Sequence, residues 1–161
     1  MSPMEYGIRP IGQIRISRGQ TRLEIEKAFR PALRGLDGFS HLQVLFWCHL
    51  VDADRQCRQL VQQKPYTQGP DRIGVFATRS PCRPNPIALT PVEILHIDLD
   101  AGVIAVPFID AEEATPIIDL KPYQPCLDRI RKVGLPEWCR HWPQWYEASA
   151  DFDWQAEFNF N

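Results

Sequence analysis

A chain of 161 residues is the size of one domain and is long enough to bury a core without metals or disulfides. With 44% apolar and 24% charged residues it does not read as a disordered chain, and its apolar runs fall short of the ~18–20 residues a membrane-spanning helix needs. The net charge of −2 argues against gripping long nucleic acid by bulk electrostatics but leaves room for a local basic pocket. Met1 to Arg9 shows no basic stretch followed by an apolar one, so the expected location is the cytoplasm.

In chain order, the 15 prolines cut the sequence into short pieces and leave no room for long helices before residue 125. Ile14 to Ile16 and Leu23 to Ile25 alternate apolar and polar at period two, as strands do. Leu42 to Leu50 is a near-continuous apolar run that predicts a central strand buried on both faces. Asp52 to Asp71 is polar, and Asp54 to Gln63 reads as a short helix or loop excursion. Ile73 to Ala77, Ile87 to Ile97, Val103 to Ile109 and Pro116 to Leu120 continue the strands, with Asp100-Ala101-Gly102 as a hairpin turn. So many short strands predict a mainly β protein, an antiparallel β-barrel over about residues 6–125. Leu127, Ile130, Val133, Trp138, Trp142 and Trp145 then recur at spacings of mostly three and four, which predicts short amphipathic helices over 126–161 packing onto the barrel.

Five cysteines (48, 57, 82, 126 and 139) make an odd set without a C-x-x-C pair, so free thiols are expected. A zinc site from Cys139 and His141 would need two distant partners and lacks the paired spacing, so no metal is expected.

The most informative stretch runs from Gly74 to Ile87, GVFATRSPCRPNPI. Residues before proline are pushed to extended conformations, so Cys82-Arg83-Pro84-Asn85-Pro86 predicts a stiff ledge. Such a ledge holds Arg79, Arg83 and Asn85 in fixed directions, as a preorganised site needs; a rigid edge loop with arginines in water is the alternative.

This stretch resembles the G-V-F-A-T-R-S-P-x-R-P-N-P-I motif of the TsaA-like, or TrmO, family of S-adenosylmethionine-dependent tRNA methyltransferases. Gly35 to Leu42 followed by Val44 to Trp47 and His49 is similar to that family's G-L-E-G-F-S-H-L-x-V-L-F-W-x-H. Thr115 to Tyr123 resembles T-P-V-L-D-I-K-P-Y, and Ile11-Gly12-Gln13-Ile14 resembles the usual opening. The resemblance covers about residues 8–125. It implies one TsaA-like domain, a homodimer, and S-adenosylmethionine bound near the dimer interface. The implied activity is methylation of N6 of threonylcarbamoyl-adenosine beside the tRNA anticodon.

Carried over residue by residue, the ligand contacts implied are His49 with Leu50, Arg79, Leu89, and Glu112, Glu113, Ala114 and Thr115. Glu112 or Glu113 suits the ligand's cationic groups, Arg79 its carboxylate, and Leu89 with Phe46 its adenine. Arg83, Asn85, Lys121 and Tyr123 are candidates for the tRNA substrate, and Asp119 for a base that removes the acceptor proton. Packing inside the barrel is the competing role for His41 and His49, as it is for Tyr123 and Trp47 as base-stacking rings. A structural ion pair competes for Asp119 and Lys121, which share one strand face two residues apart.

The chain departs from the family pattern at three points. Only Ser17 to Arg22 lies where the family carries a loop with P-R-Q, unless Arg18 and Gln20 stand in for it. Ala114 replaces the glycine of D-G-T-P, and Ala88 the glycine after P-N-P-I. The C-terminal domain of longer members is not in this sequence. Two alternatives follow: a methyltransferase acting on another RNA or a small molecule, and a non-catalytic S-adenosylmethionine-binding module.

Overall fold

The computed structural model describes residues 6–51, 57 and 59–159. They form two compact units, one from 6–51 with 85–129 and the other from 57 and 59–84 with 130–159. The strands are β1 (Gly12–Ser17), β2 (Gln20–Ile25), β3 (His41–Trp47), β4 (Val61–Gln63), β5 (Arg72–Gly74), β6 (Ile87–Glu93), β7 (His96–Asp98), β8 (Val103–Val106) and β9 (Pro116–Pro122). Two helices of four residues each follow, α1 (Pro125–Asp128) and α2 (Trp154–Glu157). None of the described helices is long and apolar enough to cross a membrane.

The first unit holds a seven-stranded antiparallel sheet in the order β6-β3-β9-β1-β2-β8-β7. Period-two alternation puts Ile14, Leu23, Leu42, Val44, Phe46, Val92, Ile104 and Ile117 on one face, where they form the core. Gly12 opens β1 because a Cβ there would lie 2.1 Å from the Glu24 carbonyl oxygen. The β1–β2 hairpin closes over Arg18 and Gly19, both at positive φ as a two-residue type I′ turn requires. The β7–β8 turn contains the expected Asp100-Ala101-Gly102: the Gly102 N–H donates to the Asp98 carbonyl at 2.9 Å.

The sheet is mainly β and antiparallel as expected, but it is not a closed barrel. The two edge strands, β6 and β7, are consecutive in the chain and separated only by Ile94 and Leu95. The Ile94 N–H donates to Ser40 while the Leu95 N–H donates to Ala105, so the chain crosses from one sheet edge to the other in two residues. Both corner amides are thus tied inward, to Ser40 beside β3 and to Ala105 on β8, so β6 and β7 part there and no ladder joins them among the described strands; Pro91 also withholds one ladder donor from β6.

Other expectations are also corrected. β3 is central, but only alternate residues are fully buried, so one face is core and the other half-open. Ile73 to Ala77 is strand only to Gly74 and then tightens into a 3-10 turn over Val75–Ala77. Within the expected excursion from Asp54 to Gln63, residues 54–56 and 58 lie outside the described residues, and Val61–Gln63 pairs as a strand with β5. The structure joins Cys57 to Cys82 in a disulfide with Cα atoms 4.2 Å apart, whereas free thiols were expected. Residue spacing could not show that folding brings two cysteines 25 positions apart into contact.

The tail does not form amphipathic helices. After α1 it is mostly turns and short 3-10 segments, and Leu127, Ile130 and Val133 are exposed. Repeated prolines and single turns keep these side chains off any common helical face. Within the second unit, Trp138, Trp142 and Phe158 instead surround the buried Tyr66 ring at centroid distances of 5.0–5.5 Å. Cys139 and His141 have non-metal partners, a Pro136 carbonyl and the Glu157 carboxylate.

Glu157 is buried, accepting from the Trp142 indole N–H at 3.0 Å and pairing with His141 at 2.7 Å. The indole bond first, and His141 second, hold its carboxyl below the ordinary carboxylate range. A lowered folded-state pKa adds stability above the unfolded value that is lost as pH falls through the folded value. Acid should therefore loosen the aromatic cluster, seen as a fall in near-ultraviolet dichroism, and Glu157→Gln should flatten that response.

Candidate functional site

Two distant segments meet at the end of β3. The strand ends at Trp47, and the Cys48 N–H donates to the Pro86 carbonyl at 2.7 Å, which sends His49 and Leu50 outward. The turn over 112–115 is laced to β1: Ala114 N–H donates to Ile14, Ile14 N–H to Thr115, and Thr115 N–H to Glu112. Thr115 is thereby buried, with its Oγ1 3.4 Å from His49 Nδ1. Leu50 stays 67% exposed and Glu112 is exposed beside this pair.

Glu113 has a different assignment. It accepts from Arg15 at 2.8 Å and from the Ile16 N–H, and these bonds, the backbone one first, hold its carboxyl below the usual range. Arg15 is raised in turn, mainly through Glu113 and then Glu24. Glu113 therefore fixes the turn, whereas Glu112 is exposed. Ala114 sits at φ +61°, the left-handed region that the family's glycine tolerates without cost. Ala114→Gly should stabilise the fold by roughly 0.5–1 kcal/mol, the relieved Cβ clash exceeding the added chain entropy, measurable by thermal denaturation.

The outer face of the sheet carries most of the remaining candidates. Strand register places Leu45 between Leu89 on β6 and Asp119 on β9, and Gln43 between Pro91 and Lys121. Leu89 is 43% exposed. Asp119 pairs with Lys121 at 2.7 Å and also accepts the Leu120 N–H at 2.9 Å; the same pairing raises the Lys121 pKa. Tyr123 packs edge-on to His41 at 6.3 Å, and its N–H donates to the His41 carbonyl.

Between Leu45 and Phe46 the β3–β9 register shifts, and Ile118 is the extra residue on β9. The bulge turns Ile118 into a cleft of about 340 Å³ lined also by Tyr6, Ile8, Pro10, Trp47, Asn85 and Pro116. Sequence patterning could not reveal it, because a one-residue register shift leaves no trace in period-two alternation.

Arg79 and Arg83 belong to the second unit. They follow the 3-10 turn on a ledge whose backbone is held by side chains. Thr78 Oγ1 accepts the Ser80 N–H, Ser80 Oγ accepts the Cys82 N–H, and Gln62 donates to Ser80. Arg83 is half-buried and reaches back to the Thr78 carbonyl at 3.5 Å, while Arg79 is an exposed residue. The structure thus unites His49 with Thr115 and aligns Leu89 with Asp119. It ties Glu113 to Arg15, a partner the sequence reading missed.

The model of the tRNA-methyltransferase O N-terminal domain family matches residues 7–129. The chain belongs to this family. A probable S-adenosyl-L-methionine-binding protein of Methanothermobacter thermautotrophicus is 34% identical over 144 residues, covering 81% of this chain and 98% of that protein. The tRNA (adenine(37)-N6)-methyltransferase of Escherichia coli is 36% identical over 124 residues, 76% of this chain and 52% of that enzyme. The crystal structure of TrmO from Pseudomonas aeruginosa superposes with a TM-score of 0.62 at 30% identity, covering 81% of this chain and 61% of that one. The chain thus spans nearly all of one TrmO-family relative and little more than half of the other two.

Proposed function

We propose that this chain is a cytoplasmic S-adenosylmethionine-dependent methyltransferase that methylates N6 of threonylcarbamoyl-adenosine next to the tRNA anticodon. The contact between His49 and Thr115 carries this reading. It brings together two segments, 66 positions apart, that the family resemblance assigns separately to the ligand. The first unit's side chains suit S-adenosylmethionine, the exposed Glu112 carboxylate for the amino group or sulfonium and Leu50 and Leu89 as open apolar surface for the adenine; Arg79 is assigned to the ligand's carboxylate by the family resemblance. The aromatic cleft at Trp47 and Asn85 suits the acceptor base, with a ring to stack on and an amide to read its edge. Arg83, Lys121 and Tyr123 would contact the surrounding RNA.

When bound, S-adenosylmethionine supplies a methyl group on a positively charged sulfur. The protein's task is to hold the acceptor nitrogen in line with that methyl and to exclude water. An acylated N6 keeps a proton that must leave as the N–C bond forms, and Asp119 is the proposed acceptor, with Lys121 orienting it. Residues 1–161 act as one functional domain, and the open apolar side chains of Leu50 and Leu89 suit a two-fold homodimer. Light scattering at micromolar concentration should give twice the chain mass.

Calorimetry with S-adenosylmethionine tests the reading first: absence of binding ends it. Mass spectrometry of tRNA from a deletion strain then asks whether the methylated base disappears. The short β1–β2 hairpin, with Gln20 bonded to Arg22, favours a second reading, because it leaves no loop there to reach a large RNA. In that reading the chain methylates another RNA or a small molecule, and the tRNA of the deletion strain stays unchanged.

A further inference from the structure

Several of the bonds that hold the arginine ledge are local. The Ser80 N–H donates to Thr78 Oγ1 and the Cys82 N–H to Ser80 Oγ, each at 3.2 Å, and Arg83 reaches back to the Thr78 carbonyl. Pro81 and Pro84 have no N–H to add. Ties to the rest of the second unit include Gln62 on β4, which donates to Ser80 at 2.9 Å, and a covalent link, the Cys57–Cys82 disulfide. That link joins positions 25 apart in the sequence and closes a segment containing β4, β5 and the 3-10 turn. It therefore fixes the far end of the ledge to the start of the same unit. Its two cysteines differ in access: Cys57 is 8% exposed, whereas Cys82 is half-buried. Cys48, Cys126 and Cys139 stay thiols.

In a reducing compartment a disulfide is characteristically transient, a redox sensor rather than a permanent staple. The motif that this segment resembles leaves position 82 open, so the ligand reading gives Cys82 no task. We propose that Cys57 and Cys82 are a redox-modification site, a clasp whose closed form holds the ledge and whose opening lowers the affinity for S-adenosylmethionine. A thiolate of a dithiol reductant attacks the more open Cys82 sulfur, and the S–S bond breaks with its electron pair leaving on the Cys57 sulfur. The reductant's second thiolate then displaces Cys82 from the mixed disulfide. Two electrons enter the protein, the reductant leaves as its own disulfide, and the two protons it gives up end on the two cysteines. Exchange with an oxidised disulfide closes the clasp by the reverse steps. The opened ledge keeps its bonds to Ser80 and Gln62 but loses the constraint on Cys82, so more of it must be ordered when a ligand binds. The proposal rests on the reading that Arg79 contacts the carboxylate of S-adenosylmethionine.

The test uses the full chain in two redox states. Alkylation followed by mass spectrometry should find positions 57 and 82 joined in the air-oxidised chain and free after equilibration with a glutathione buffer of cytosolic ratio. By calorimetry, the chain reduced with dithiothreitol should bind S-adenosylmethionine about threefold to tenfold more weakly than the oxidised one, because its ledge is ordered only on binding. Amide exchange should quicken at Cys82 and Arg83 and stay as it was in β4 and β5. Cys57→Ser and Cys82→Ser should each bind like the reduced chain and no longer respond to reductant, whereas Cys126→Ser should keep the response. If the first two variants fail to fold, the parent in its two states carries the comparison. A link that withstands the glutathione buffer would overturn the proposal, as would loss of near-ultraviolet dichroism on reduction, since either makes the disulfide a fixed structural bond. Equal binding by both states would sink the switch alone. If neither state binds S-adenosylmethionine, the proposed function has failed, and a switch acting on that affinity falls with it.

Discussion

Asp119→Asn should lower the methyl-transfer rate by about a hundredfold to ten-thousandfold while leaving S-adenosylmethionine binding close to that of the parent. The carboxylate is half-buried on the open face of β9, opposite Leu45 and in line with Leu89 across β3. Asparagine keeps the size and can still accept the Leu120 N–H that the Asp119 carboxylate receives. It cannot take up a proton from the acceptor nitrogen. The loss should therefore fall on kcat, with KM for the ligand nearly constant.

The competing account makes Asp119 and Lys121 a surface ion pair with no chemical task. Their side chains are 46% and 63% exposed, so the pair contributes at most a little to stability. Lys121→Met separates the two accounts. It breaks the pair without touching the carboxylate, so a structural role predicts equal effects from both variants. A base role predicts that Asp119→Asn is far more damaging, and equal small effects would remove Asp119 from the mechanism.

The elements that sequence made legible are those governed by local rules. Leu23 and Ile25 flank Glu24, and that alternation alone fixes which face of β2 is buried. The Asp100-Ala101-Gly102 turn is equally local, since a glycine free to take positive φ beside an aspartate suffices. What escaped the sequence depends on meetings between distant segments. The Cys57–Cys82 link, the Glu113–Arg15 pair and the Tyr66 aromatic cluster each join residues with no local signal connecting them. The barrel expectation failed for a related reason: alternation says that strands pair, but closure depends on a two-residue corner at Ile94 and Leu95. The departure at Ala114 was legible as a substitution, and the structure adds its consequence, a left-handed alanine in the turn that holds Thr115.

Arg79→Ala should weaken S-adenosylmethionine binding by roughly tenfold to a hundredfold with little change in melting temperature. A charge-assisted hydrogen bond to a carboxylate is worth about 1.5–3 kcal/mol, which sets that range. Stability should hold because the ledge is fixed through backbone atoms and through Thr78, Ser80 and Gln62, none of which the substitution removes. Arg131→Ala, an exposed arginine in the same unit, should change neither quantity and serves as the charge control. Two results would count against the assignment in different ways. Parent-like binding by Arg79→Ala would make the proline ledge a structural element and move the ligand's carboxylate elsewhere. A large fall in melting temperature would mean that the guanidinium holds the second unit together, and the ligand assignment would then have to rest on His49 and Thr115 alone.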